Sequence, residues 1–139
     1  MSFSKDLDGF VKKTELIQLA VVQKSAERLA IDANTDYNSG GNLPIDTSFL
    51  RSSIAAKVGS VPKGQSEKPK DFVPQNWSPK SLSLAISSMK LGDVLFIGWT
   101  AKYALKMEQR FGFARAAVQK WRQIVDQTAK EYKARINGQ

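Results

Sequence analysis

The N-terminal segment constrains the fold more than any other part of the chain. Residues 4–35 contain no proline and a single glycine, Gly9. Apolar residues recur there at intervals of three and four, the spacing that places side chains on one face of an α-helix. They are Leu7, Phe10, Val11, Ile17, Leu19, Val21, Val22, Ala26, Leu29 and Ala33. We therefore predict one long amphipathic helix. Its apolar stripe drifts around the helix, so we expect its two halves to face different neighbours, one of which could be another subunit.

A second long helix is predicted after Gly112, ending near Ile136. Its apolar positions also recur at three and four residues, and they are Phe113, Ala117, Trp121, Ile124, Thr128 and Tyr132. Between the two long helices, residues 53–58 favour a strand, and residues 79–91 favour a short helix that stops at Gly92. The continuous apolar run 94–99 indicates a second strand covered on both faces, which should be the best-buried one.

These elements predict a single α+β domain over residues 1–139, with two long helices packed on a small antiparallel or mixed β-sheet. Residues 58–80 are not expected to join this packed arrangement, because they contain four prolines, four lysines and few apolar side chains. Such a composition buries too little apolar surface to offset the entropy of ordering the segment alone. We interpret it as a long mobile loop or arm.

The absence of cysteine and histidine excludes several classes of site. Disulfides, Cys/His zinc sites, cysteine nucleophiles and the Ser-His-Asp relay all need one of these residues. No apolar run approaches the roughly 20 residues of a membrane helix, and residues 1–10 lack an apolar signal core. We therefore expect a soluble protein made in a cytoplasm.

Two weaker motifs could suggest chemistry. Residues 59–66 have the glycine spacing of a phosphate-binding loop, but Gln65 stands where the lysine must reach the phosphates. Asp32 and Asp36 lie one helical turn apart, yet no further oxygen-rich cluster completes a cation site, and a solvated helix end is the simpler interpretation. We predict no enzymatic activity, no cofactor and no small-molecule substrate.

The net charge of +8 lies mainly at the C-terminal end, where residues 110–139 hold seven bases and two acids. These bases mostly occupy the polar side of the predicted helix, and they could face solvent, an acidic protein or a DNA channel. With Trp77, Trp99 and Trp121 as stacking platforms, the chain could alternatively be a small basic nucleic-acid-binding module. Trp99 and Trp121 fall on apolar faces, however, so we predict two core residues, with Trp77 anchoring the loop.

Two segments carry a family resemblance. Residues 43–54 read Leu-Pro-Ile-Asp-Thr-Ser-Phe-Leu-Arg-Ser-Ser-Ile, and residues 103–108 read Tyr-Ala-Leu-Lys-Met-Glu. The second segment continues with Arg110, Gly112-Phe113 and the predicted helical residues 116–125. The two segments resemble the Pro-Val-Asp-Thr-Gly-x-Leu-Arg-x-Ser-Ile stretch and the Tyr-Ala-x-x-x-Glu block of bacteriophage neck and tail-completion proteins. The order of the predicted helices and strands also agrees with that family. Ser48 replaces the usual glycine of the first stretch, and Gln109 stands where a glycine often follows the glutamate.

The resemblance implies a structural virion protein of a long-tailed phage, assembled in the bacterial cytoplasm and placed at the head-tail interface. Identical subunits would form a ring that completes the tail or joins the head connector to the tail tube, around the path of the DNA. The interface candidates are Asp46, Thr47, Leu50, Arg51, Lys63, Lys68, Lys70, Trp77, Tyr103, Glu108, Arg110, Arg115, Lys120 and Arg122.

Several of these residues have predicted local roles. Asp46 and Thr47 should cap a turn, and Leu50 should pack inward. Glu108 should pair with Arg51 or Arg110 at the junction of strand and helix.

Overall fold

The computed structural model describes residues 3–45, 48–74 and 76–138. These residues form several helices and a pair of antiparallel strands, which confirms the α+β class. In chain order they are α1 (Phe3–Ala33), a 3-10 turn (Tyr37–Ser39), α2 (Phe49–Ser52), β1 (Ile54–Val58), α3 (Lys80–Ser88), β2 (Leu95–Trp99), α4 (Ala104–Phe111), α5 (Phe113–Gln119) and α6 (Trp121–Asn137).

Helix α1 is the single long helix that the N-terminal pattern predicts. Its 31 residues correspond to a length of about 46 Å at 1.5 Å per residue. It contacts α3, α5 and α6. After the helix the chain folds back closely, since a Cβ on Gly41 would lie 2.0 Å from the carbonyl oxygen of Thr35. Glycine is therefore required at this crossing.

The sheet is a two-stranded antiparallel pair in the described part of the chain, with Ile54 opposite Trp99 and Val58 opposite Leu95. One face packs against α1 and α3 through a cluster that we call the sheet core: Ala30, Ile54, Leu82 and Ile86. The prediction that β2 is covered on both faces is wrong, because all five of its residues are only half-buried. An apolar run records how many apolar side chains a strand carries, but not how many layers cover them.

The C-terminal region also differs from the prediction. Instead of one helix from 113 to 136, two helices meet at Lys120, whose φ of −93° and ψ of 1° interrupt the helical path. The interruption lets α5 bury Phe113 and Ala117, while α6 packs along α1. Trp121 begins α6 and is 36% exposed, so its predicted core position is wrong.

Residues 59–79, as far as the structure describes them, contain neither helix nor strand. They nevertheless touch the rest of the protein. The Lys102 amide donates to the Ser66 carbonyl at 2.7 Å, and the Thr100 hydroxyl donates to the Gln65 carbonyl at 2.8 Å. The Phe72 ring packs against a core phenylalanine. The absence of regular structure in these residues agrees with the prediction of a loop, and its mobility stays a prediction.

No helix in the described ranges is long and apolar enough to cross a membrane.

Candidate assembly site

The two segments that carry the resemblance pack together in a buried cluster, which we call the junction core. Its members are Leu43, Phe49, Leu50, Ala101 and Phe113, with Ala104 and Met107 packed against it. Trp99 and Phe113 meet edge to face at 4.8 Å, an arrangement that aromatic rings favour. Leu50 is 3% exposed, which confirms that it packs inward and leaves it inaccessible to a partner. Tyr103 lies at the exposed rim, 6.5 Å from the Phe49 ring.

Asn34 connects three elements beneath the junction core. Its side chain is fully buried, donating to the Arg51 carbonyl at 3.0 Å and accepting from the Trp99 indole N–H at 2.9 Å. It thereby joins the end of α1 to α2 and to β2. The sequence gives no signal for this role, because a polar residue after a helix is ordinarily a surface residue.

Arg51 pairs with Asp36 rather than with Glu108. Its Nη1 lies 3.5 Å from the Asp36 carboxylate, which is buried and also accepts from the Ser39 amide at 2.9 Å. The Arg51 Nε is buried and has no hydrogen-bond partner within the described residues. Asp36 is therefore part of the junction, and its interpretation as a solvated helix end is wrong.

Glu108 caps a helix instead of forming the predicted ion pair. Its carboxylate accepts from the amides of Ala114 and Arg115, at 2.8 and 3.0 Å. These N–H groups belong to the first turn of α5, where no helical carbonyl can receive them. Gly112, with φ of 64°, reverses the chain and brings that turn back to Glu108. Arg110 is exposed and lies over the Phe111 ring at 5.6 Å.

The start of α2 has an unusual backbone. Ser48, directly before this helix, has φ of 66° in the left-handed region, which is costly for a residue with a side chain. Its carbonyl accepts from the Ser52 hydroxyl at 2.9 Å. Asp46 and Thr47 lie outside the described residues, and their capping role stays a prediction.

The loop supplies exposed charge and one anchor. Lys63, Lys68 and Lys70 are exposed. Trp77 packs against the sheet core, as expected of an anchor for the loop. Its indole N–H is buried and unpaired among the residues that the structure describes.

The C-terminal bases do not form one uniform surface. Lys120 lies 3.4 Å from Asp32 on α1, so its charge is paired within the chain. Arg115 and Arg122 are exposed. Arg122 borders a shallow surface groove on α6 that also carries carboxylates and amides. Arg115 and Arg122 are thus two bases that a partner could reach without first breaking a described ion pair.

An ion pair between Arg28 and Glu131 joins α1 to α6. Arg28 donates to the Thr128 hydroxyl at 2.9 Å and to Glu131 at 2.6 Å. This hydrogen bond from Arg28 holds the pKa of the Glu131 carboxyl below its usual range, and the nearby positive charges act in the same direction. The Thr128 hydroxyl also donates to the Ile124 carbonyl, so this buried polar side chain is fully hydrogen-bonded.

An apolar groove lies between α1 and α6, and the sequence did not indicate it. We call it the α1–α6 groove. It is lined by Ile17, Val21, Val22, Leu91, Val125, Ala129 and Ile136, with Gln18 and Lys133 as its polar members. Beyond the groove, α1 carries the exposed side chains Leu7, Phe10 and Val11.

Among the described residues, no group of three or more His, Cys, Asp or Glu side chains could hold a metal ion.

Comparison with protein-family models, curated proteins and solved structures gives no match to this chain.

Proposed function

We propose that this chain is a structural subunit of a phage neck, which assembles into a ring that completes the tail or joins the head connector to the tail. The observation that best supports the proposal is the junction core. Residues 43–54 and 103–113, which carry the resemblance, are distant in sequence but contribute Leu43, Phe49, Leu50 and Phe113 to one buried cluster. Residues of the family pattern thus contribute to buried packing, as expected of a structural subunit.

The backbone at Ser48 gives further support. The family pattern places glycine at this position, and glycine is the residue that adopts positive φ without a steric cost. Ser48 has φ of 66°, so the backbone here suits the family residue even though this chain carries serine. The serine that replaces glycine at position 48 therefore does not imply a different backbone turn there.

A ring of identical subunits needs two different surfaces on each subunit, because its contacts run head to tail. Residues 58–80 offer one candidate, an arm with exposed lysines at 63, 68 and 70. Arg115 and Arg122 offer another, facing either the lumen of the ring or an acidic surface of the connector. Charge complementarity of this kind governs which partners associate and how fast.

The first experiment is light scattering and electron microscopy of the purified protein, alone and mixed with the head-connector and tail-tube proteins of its phage. We expect closed rings with a central hole, at least in the mixture. A protein that never forms rings in either setting would contradict the proposal. Tight DNA binding that weakens steeply with salt would instead favour the nucleic-acid-binding module.

A charge-reversal variant tests the candidate surface directly. Arg115→Glu with Arg122→Glu should abolish ring formation and leave the far-ultraviolet circular dichroism unchanged, since both side chains are exposed. The matched control is Lys57→Glu with Lys90→Glu, which makes the same change in net charge at exposed positions elsewhere. Equal assembly by the two variants would remove the basic helix from the mechanism.

A loop variant tests the arm. Replacing residues 61–68 by a short Gly-Ser linker removes Lys63 and Lys68 but keeps Phe72 and Trp77, the residues that anchor the loop to the two cores. We expect a folded protein that no longer joins heads to tails. Normal joining by this variant would show that the loop is dispensable.

A further inference from the structure

The N-terminal half of α1 has an apolar stripe that no other described residue covers. Every side chain of residues 4–13 is exposed, including Phe10 at 68%. A helical segment of this length is marginal in water when nothing packs on it, and Gly9 in its interior weakens it further. A partner that covers the stripe would offset both costs by burying apolar surface.

The uncovered stripe continues directly into the α1–α6 groove. At 100° per residue, Leu7, Val11, Thr14, Ile17 and Val21 fall within about 60° of one line along the helix. Ile17 and Val21 form one wall of the groove, and Val125, Ala129 and Ile136 of α6 form the other. The groove therefore opens onto the same helical face that carries the exposed Leu7 and Val11.

This stripe is self-complementary. Leu7 and Val21 are equally far from Thr14, and so are Val11 and Ile17. Two α1 helices arranged antiparallel about a two-fold axis at Thr14 would place Leu7 of one copy beside Val21 of the other. Their overlap over residues 7–21 would extend for about 22 Å.

We propose that two copies of this chain pair through antiparallel α1 helices, each inserting Leu7, Phe10 and Val11 into the α1–α6 groove of the other. The contact is isologous, so the same apolar surface is buried twice. It differs from the head-to-tail contact of a ring, and it holds whether or not the chain is a neck protein.

The chemistry of the groove favours a second copy over a small molecule. Ligand pockets combine apolar walls with several polar groups that orient the ligand, whereas Gln18 and Lys133 are the polar members of this groove among the described residues. Its complement, an apolar helical stripe of matching spacing, is present in the chain itself.

The charges beside the stripe define how the pair should respond to salt. Asp6 of one helix would lie about 3 Å along the axis from Lys24 of the other, on the same flank. Lys13 and Glu15 flank Thr14 and would each meet their own copy across the axis. Because like charges meet at the centre, apolar burial must supply most of the affinity, and the pair should persist at about 1 M NaCl.

Sedimentation velocity on the full chain tests the pairing. We expect twice the subunit mass of 15.4 kDa at micromolar concentrations, and at least a tenfold higher dissociation constant for Phe10→Glu. The matched control is Leu84→Glu on α3, where the wild-type side chain is 82% exposed; it should dimerise like the wild type. A monomeric wild type, unchanged dimerisation of Phe10→Glu, or dissociation at high salt would overturn the proposal.

Cysteine cross-linking tests the orientation, since the chain has no cysteine of its own. A disulfide forms only between Cα atoms within about 7 Å. On mild oxidation, a mixture of Leu7→Cys and Val21→Cys chains should cross-link into the mixed pair, and neither variant should cross-link alone. Lys12→Cys, on the opposite face of α1, should stay monomeric in denaturing gels. Self-cross-linking of Leu7→Cys would indicate a parallel pair and refute the antiparallel arrangement.

Discussion

Asn34 allows a sharp test of how the junction is held together. Its amide donates to the Arg51 carbonyl and its oxygen accepts from the Trp99 indole, both within 3.0 Å, in a fully buried position. Asn34→Ala removes both hydrogen bonds and leaves two polar groups without that partner. Each such loss costs about 1–3 kcal/mol, so the free energy of unfolding should fall by about 2–6 kcal/mol. For 139 residues, a loss of about 3 kcal/mol corresponds to a Tm lower by about 10 °C.

Urea unfolding followed by tryptophan fluorescence measures this loss. The matched control is Asn38→Ala, which removes the same side chain from an exposed position in the 3-10 turn and should change stability by less than about 0.5 kcal/mol. A cycle with Trp99→Phe should give a coupling energy of about 0.5–3 kcal/mol. If Asn34→Ala costs less than about 1 kcal/mol, or no more than the control, the two hydrogen bonds do not hold the junction.

Three further predictions concern local features. Glu108→Ala should lower the free energy of unfolding by about 0.5–2 kcal/mol in urea, because the first turn of α5 loses its cap; Glu108→Gln, which keeps an acceptor oxygen, should lose less. Ser48→Gly should raise the free energy of unfolding by about 0.5–1 kcal/mol, because strain at positive φ outweighs the entropy of glycine; a destabilised variant would contradict that φ. Glu131 has a lowered pKa in the folded state, mainly through the hydrogen bond from Arg28. Its stabilising effect is therefore present above the unfolded value of 4.5 and is lost as pH falls through the folded value. The stability difference between wild type and Glu131→Gln should vanish in acid, and a difference independent of pH would refute this account.

The sequence predicted those elements whose boundaries depend on local signals. Helix α1 and strand β1 follow their periodicities to within about two residues, and the short helix α3 lies inside its predicted range. Glycine and proline mark these boundaries, and each pattern is strong within its own window.

The remaining features depend on contacts between distant residues. No glycine or proline marks the interruption at Lys120, which separates residues packed in the junction core from residues packed along α1. Glu108 meets the first turn of α5 because Gly112 reverses the chain between them. Asn34 finds its partners 17 and 65 residues away. Periodicity within a window of about 18 residues does not encode partners of this kind.

The contact between α1 and α6 determines when the chain can finish folding during synthesis. Arg28 is separated by 100 residues from Thr128 and by 103 from Glu131. At synthesis rates of about 5–20 residues per second, the ribosome needs roughly 5–20 seconds to make that interval. Throughout this time α6, the helix that packs along α1, is not yet complete. Helix α1 therefore waits for a partner that is made much later, so its packing against α6 is among the last contacts to form.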